Sequence, residues 1–274
     1  MGYIIRFFIL AGSLVTLPAC TSIFFQPMKE HVISPEQFGV EYRDVYFKSV
    51  DGLKLHGWWF PSQQDSKATV LFLHGNAQNI STHSSGVYWL TKHNYDVFIF
   101  DYRGFGRSEG VPILEGALSD IEQAIAYVKT KNVDDKKLFI VGQSLGASMG
   151  IFTIADIKEG ISGAIFISPF SDYRAITRDV LSRSWITWAF QWPLSFTINN
   201  DYRPLDYVGQ ISPAPTLFAY SNKDEVMPSY HIKNLYEKAI PPKYIEEFTG
   251  SHSSILGVQK NRDIIVRYLD EWSK

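Results

Sequence analysis

Gly142-Gln143-Ser144-Leu145-Gly146 lies between a strand-like run, Lys137 to Val141, and a small, apolar run that continues to Ile157. A serine at such a strand-to-helix corner is held in a strained backbone conformation with its hydroxyl lifted clear of the sheet, as a nucleophile must be. The flanking glycines leave room for the tight turn. The pattern alone decides little, because a Gly-x-Ser-x-Gly match arises by chance in roughly one chain in ten of this length. A second match, Gly106-Arg107-Ser108-Glu109-Gly110, follows the strand-like run Asp96 to Phe100 only after several residues and continues into Val111-Pro112, with no helix starting at its serine. Context therefore selects Ser144 and reads Ser108 as part of a glycine-rich loop.

A serine hydroxyl is a weak nucleophile near neutral pH and needs an imidazole base, itself held by a carboxylate. Of the seven histidines, His31, His56, His83 and His93 fall in the N-terminal stretch, the opening strands or an exposed helix, and His231 falls inside a helix. His252, in Thr249-Gly250-Ser251-His252-Ser253, directly follows the last strand-like run, where an open parallel sheet presents its ligands. It is the expected base, since a neutral imidazole accepts a proton near neutrality. The carboxylate is expected between Ser144 and His252 in chain order, and Asp224 follows the strand-like run Thr216 to Tyr220 immediately. Glu225, one residue on, is the alternative, whereas Asp201 and Asp206 face no strand terminus. An oxyanion developing on a substrate needs preset donors. The amide of Leu145, at the positive end of the elbow helix, is one. The second is assigned to Asn76, or else to Ala77, in the loop that follows Leu71-Phe72-Leu73-His74-Gly75. His74 is then a loop-organising residue and not a second base.

These groups need a scaffold that gathers strand ends. Strand-like runs Glu41 to Val50, Leu53 to Phe60 and Ala68 to Leu73 open the fold, the first two joined by an Asp51-Gly52 hairpin turn. The chain then alternates: helix Thr82 to His93, strand Asp96 to Phe100, helix Leu114 to Lys131, strand Lys137 to Val141, helix Leu145 to Ile157, strand Gly163 to Ser168. Later come strand Thr216 to Tyr220, helix Ser229 to Ala239, strand Lys243 to Phe248 and a closing helix from about Lys260 to Trp272. Such alternation implies an α/β fold with a mostly parallel, eight-stranded sheet and helices on both faces. Between them, residues 171–204 break the alternation and carry Trp185, Trp188 and Trp192 with Phe190 and Phe196. This segment reads as an aromatic cap insertion, whose rings either receive an acyl or aromatic group or pack the cap onto the body.

A chain of 274 residues, 45% hydrophobic and 20% charged, suffices for one large core, and no repeat or low-complexity linker divides it. With 26 basic against 28 acidic residues and no run of five like charges, no nucleic-acid partner is expected. No metal or organic cofactor is implied. Arg6 precedes an apolar stretch from Phe7 to Leu17 and then Pro18-Ala19-Cys20, the layout of a secretory signal too short for a membrane span. Residues 1–20 are therefore read as a signal peptide, 21–38 as a tether and 39–274 as the catalytic domain.

Leu17-Pro18-Ala19-Cys20 resembles the lipobox of bacterial lipoproteins, whose cysteine becomes the lipid-modified first residue. That resemblance implies lipidation at Cys20 and anchorage to an envelope membrane. Thr21, in place of the Asp that favours inner-membrane retention in that family, points to the outer membrane. His74 to Ala77, Asp101-Tyr102-Arg103-Gly104-Phe105-Gly106-Arg107-Ser108, the elbow at 142–146, Asp224 and His252 occur in an order and spacing similar to the α/β-hydrolase superfamily, over about residues 40 to 272. Within it, the His-Gly-Asn-Ala and Asp-Tyr-Arg-Gly runs are similar to BEM46-like and ABHD-type serine hydrolases and to proteins labelled serine aminopeptidase or lysophospholipase. The resemblance implies the α/β-hydrolase fold and a serine hydrolase that opens a carboxylic ester or thioester of a small or lipid-like substrate through an acyl-enzyme. Amide hydrolysis, acyl transfer by the same groups and a non-catalytic envelope binding protein are the alternatives, because fold likeness does not supply a substrate.

Overall fold

Strands that are apolar on both faces belong inside a parallel sheet covered on both sides. The computed structural model, which describes residues 25–131, 136–157 and 159–274, contains such a sheet. Its strands are β1 (Arg43–Lys48), β2 (Lys54–Phe60), β3 (Ala68–Leu73), β4 (Tyr95–Asp101), β5 (Lys137–Gln143), β6 (Gly163–Ile167), β7 (Thr216–Tyr220) and β8 (Lys243–Glu247). They lie in the order β1-β2-β4-β3-β5-β6-β7-β8. β2 is antiparallel to both neighbours and the pairings from β4 through β8 are parallel. β3 and β6 are buried at every position. Along β3, β4 and β5 the residues alternate between two apolar layers: Leu71, Phe98 and Ile140 face one, Phe72, Ile99 and Phe139 the other. Full burial of each such side chain stabilises the fold by about 1.5–3 kcal/mol.

The described residues form eight α-helices: α1 (Ile80–His83), α2 (Leu114–Lys131), α3 (Leu145–Ile157), α4 (Tyr173–Ser182), α5 (Gln191–Phe196), α6 (Pro204–Tyr207), α7 (Ser229–Lys238) and α8 (Gln259–Trp272). α2, α3 and α7 cover the first layer through Ile121, Met149 and Ile232. α8 covers the second through Ile265 and Leu269, joined there by Ile80 and Trp89. Helices thus lie on both faces, as the alternation implied. Among the described residues no helix is long and apolar enough to cross a membrane.

Two departures from the expected elements have local causes. The helix expected over Thr82 to His93 breaks into α1 and two short 3₁₀ segments, Ser84–Gly86 and Tyr88–His93. Gly86 is a poor helix former, and it lies so close under Leu256 that a Cβ there would come within 3.0 Å of Leu256 Cδ1. β1 also stops before Ser49, because the Ser49 carbonyl accepts the Gly52 N–H in the hairpin turn.

The N-terminal stretch read as a tether is seated on the body over residues 25–31. Phe25 packs edge-on to Phe105, Met28 N–H donates to Gln78 O, and Gly106 N–H donates to Met28 O. Residues 1–20 with Cys20, and residues 21–24, lie outside the described residues.

Candidate active site

Every expected catalytic and oxyanion residue follows the C-terminal end of a parallel strand, where open α/β sheets present their ligands. At the end of β5, Ser144 has φ +54°, in the left-handed region that L-residues avoid. Its N–H donates to Ile167 O of β6 at 2.9 Å, and its own carbonyl accepts Ser148 N–H at 3.0 Å, which starts α3. A Cβ on Gly142 would fall 2.7 Å from Ala147 Cα, and one on Gly146 only 2.3 Å from Leu73 O. Both flanking glycines are therefore sterically required, the second because α3 docks directly on the end of β3. Ser108, the serine of the other glycine-flanked match, is buried, donating its hydroxyl to Asp101 O and accepting His56 N–H at 2.9 Å.

After β7 and β8 the chain brings Asp224 to His252. Nδ1 of His252 lies 2.8 Å from Asp224 Oδ2 and 3.0 Å from Oδ1. The carboxylate is itself oriented: Oδ1 accepts the amides of Val226 and Met227 at 2.9 and 2.7 Å, and Oδ2 accepts the Ser168 hydroxyl at 2.7 Å. Burial alone would raise the Asp224 pKa, but the bond and charge of His252, aided by Ser168 and the Met227 amide, reverse this and hold it below the usual carboxylate range. Glu225, the alternative, meets the His252 backbone and not its ring, accepting the His252 N–H at 3.3 Å. Gln143 Nε2 fixes the same turn by donating to His252 O at 3.0 Å.

Ser144, His252, Asn76, Ala77, His83 and Arg262 share the wall of one cavity of about 940 Å³. Ser144 and His252 make no hydrogen bond to each other there; contacts of this kind tighten when substrate binds. A Cβ on Gly75 would lie 3.5 Å from Ser144 Cβ, so the loop after β3 passes right beside the serine. In that loop Ala77 and Gln78 have φ +64° and +62°, a strain of about 1–3 kcal/mol each. The Asn76 side chain explains how the loop holds: its Oδ1 accepts both Ala77 N–H at 2.8 Å and Gln26 N–H at 2.9 Å. The Ala77 amide is thereby used up. The amides of Asn76 and Leu145 bond to no group among the described residues, so Asn76 and not Ala77 keeps a donor for an oxyanion. His74 is fully buried and donates from Nδ1 to Gly75 O at 2.8 Å. Burial pushes its pKa down to about 3, which leaves it neutral, as suits a loop-organising residue.

Sequence reasoning missed Ser168, Gln143 and Gln26. For Ser168 and Gln143 there was a signal, a polar residue at the end of a buried parallel strand, and for Gln26 there was none. The cap region holds α4, α5 and the 3₁₀ turn Trp188–Phe190. His231 on α7 fastens it, taking Ser171 Oγ on Nδ1 at 2.9 Å and Asp179 on Nε2 at 2.9 Å, and Arg183 donates to Val226 O at the cavity wall. The tryptophan rings do not pack the cap onto the body: Trp185, Trp188 and Trp192 are 88, 61 and 57% exposed.

A serine lifted from the sheet, an imidazole held by a carboxylate, and two unspent amides beside them can together carry out acyl transfer from an activated carbonyl. A family model described as serine aminopeptidase, S33, matches residues 64–203. The Escherichia coli K12 protein YfhR is 31% identical over 267 residues, covering 90% of this chain and 88% of its own. Protein bem46 of Schizosaccharomyces pombe is 27% identical over 212 residues, 76% of this chain and 69% of its own. Among solved structures, the Pyrococcus furiosus esterase Pf2001 superposes with a TM-score of 0.73 at 20% identity, over 91% of this chain and 100% of that one. The chain is therefore an α/β-hydrolase and belongs to the serine aminopeptidase (S33) family.

Proposed function

We propose that this hydrolase cleaves carboxylic ester or thioester bonds of lipid-like acyl substrates through an acyl-enzyme. Ser144 Oγ attacks the carbonyl while His252 Nε2 takes its proton, and the Leu145 and Asn76 amides hold the oxyanion. The departing alcohol or thiol receives that proton. A water molecule, deprotonated by His252, then releases the carboxylic acid. The observation that carries this reading is the Asp224-held imidazole and the left-handed Ser144 on one cavity wall with two unspent amides.

A second observation favours esters over peptides with free amino termini. An aminopeptidase needs a carboxylate to pair the substrate's ammonium group, and no Asp or Glu is among the described residues lining this cavity. The wall instead presents Arg262, fixed by its Nε donating to Leu256 O at 2.8 Å and by the Trp89 ring 5.1 Å away. Uncharged or anionic acyl groups suit that wall better than an ammonium. With full-length protein in detergent, p-nitrophenyl esters of increasing chain length are expected to turn over at least about a hundredfold faster than alanine p-nitroanilide. Faster turnover of the anilide would overturn the ester reading.

The substrate's lipid-like character and the site of action rest on the cap and the N-terminus. Trp185, Ile186, Trp188, Phe190, Trp192 and Phe196 form an exposed apolar stretch, and Arg174, Arg178 and Arg183 outnumber Asp172 and Asp179 beside it. Aromatic rings with neighbouring basic groups suit an anionic lipid interface. Cys20 stands only five residues before Phe25, where the chain is already seated, so a lipid on Cys20 holds the body within about 20 Å of an envelope membrane, the outer one favoured by Thr21. In a bacterial host, radiolabelled palmitate is expected on the wild-type chain and not on Cys20→Ser. Equal labelling of both would sink the anchor.

A further inference from the structure

His56 and Asp101 are cross-strand partners on β2 and β4, so their side chains leave the same face of the sheet side by side. His31 comes over them from the N-terminal stretch. Its Nε2 lies 3.1 Å from Asp101 Oδ2, and His56 Nδ1 lies 3.9 Å from the same oxygen. The three donor atoms are all within 4.8 Å of one another. An ion bound at about 2.0–2.1 Å to tetrahedral nitrogen and oxygen ligands spaces them about 3.4 Å apart, between the two observed separations.

A plain hydrogen-bond network leaves a defect at this point. Asp44 Oδ1 sits 2.5 Å from His56 Nε2, and a neutral His56 that donates there turns the bare lone pair of Nδ1 toward the Asp101 carboxylate. Both side chains are fully buried, and among the described residues no group stands within hydrogen-bonding distance of Nδ1. Two unshared electron pairs facing each other in a dry site repel unless positive charge stands between them. A histidine that gives one ring N–H to a carboxylate and its other nitrogen to a metal is the arrangement that orients metal-binding imidazoles. Gly106 keeps the space open, since a Cβ there would fall 1.9 Å from Asp101 Oδ2 and 2.8 Å from His31 Nε2.

We propose that His31, His56 and Asp101 bind a divalent transition-metal ion, with Zn²⁺ best matched by two imidazoles and one carboxylate. The ion fastens the N-terminal stretch to the sheet behind the loop that carries Asn76. That stretch supplies the Gln26 and Met28 amides bonded to Asn76 and Gln78, while the remaining Asp101 oxygen accepts Ile80 N–H at 2.9 Å just beyond the loop. The ion is thus tied to the loop from both sides.

The test is a calorimetric Zn²⁺ titration of chelator-treated full-length protein, with thermal unfolding and the visible spectrum of the Co²⁺-loaded protein as second readouts. One ion per chain, a raised unfolding temperature and a tetrahedral Co²⁺ spectrum are expected. His31→Gln and His56→Gln are each expected to weaken binding by at least about tenfold. His252→Gln is expected to retain the ion, which separates this site from the serine cavity. Because His56 is buried in the sheet and its variant risks misfolding, His31→Gln, on the N-terminal stretch outside the sheet, decides the matter alone if need be. Absence of saturable binding near one equivalent, or undiminished binding in His31→Gln, overturns the proposal.

Discussion

Ser144→Ala is expected to lower kcat by about a millionfold, equivalent to about 8 kcal/mol of transition-state stabilisation, and to abolish labelling by a fluorophosphonate probe. The size follows from the proposed chemistry: without the hydroxyl no acyl-enzyme forms, and His252 and Asp224 have no proton to move. Folding should be spared, because the Ser144 hydroxyl makes no hydrogen bond among the described residues and the backbone bonds that fix the elbow belong to its N–H and C=O. Combining it with His252→Ala should cost little more, since groups that act as one unit lose their effect together. Ser108→Ala makes the contrasting control. It removes a buried hydroxyl bonded to Asp101 O and His56 N–H, so it should cost about 1–3 kcal/mol of stability while leaving the probe reaction intact. Persistent labelling of Ser144→Ala would remove this serine from the mechanism.

The parts of this fold legible from sequence were those where periodicity and burial agree. α2 and α3 run over the residues expected for them, since long apolar faces leave little choice of boundary. The strand ends were also readable, and with them the positions of Ser144, Asp224 and His252, because each lies within five residues of the end of a strand-like run. What stayed hidden depended on tertiary contact. Gly86 under Leu256 breaks the helix expected over 82–93, and nothing local in the sequence reports Leu256. The choice between Asn76 and Ala77 turned on the Asn76 carboxamide folding back onto its neighbour, at a pair of left-handed residues that no glycine announces. Ser168 reaches Asp224 across 56 residues of chain, and the seating of Gln26 on Asn76 spans 50. Neither separation leaves a pattern to read.

Asp224→Asn is expected to reduce kcat by about 10⁴-fold with little change in KM, through the histidine and not through substrate contact. Oδ1 accepts two backbone amides, from Val226 and Met227, so the carbonyl of the new carboxamide must take that position. Its NH₂ group then points at the Ser168 hydroxyl and at His252 Nδ1, whose shorter contact in the wild type is also to Oδ2. The hydroxyl can turn to accept, but Nδ1 can accept only by giving up its proton. His252 is thereby driven into the tautomer with the proton on Nε2, the nitrogen that must be bare to receive the Ser144 proton. Acid stability should change alongside activity. The wild-type Asp224 pKa lies below the ordinary range, so its carboxylate contributes stability that is present above the unfolded-state value of about 3.9 and is lost as pH falls through the lower folded value. Asparagine does not titrate, so the variant's unfolding free energy should lack that component of the decline below about pH 4. Steady-state kinetics and denaturant titrations across acid pH read the two effects separately. Activity within tenfold of wild type would show that His252 is oriented by another group, of which Glu225, already bonded to the His252 amide, is the nearest.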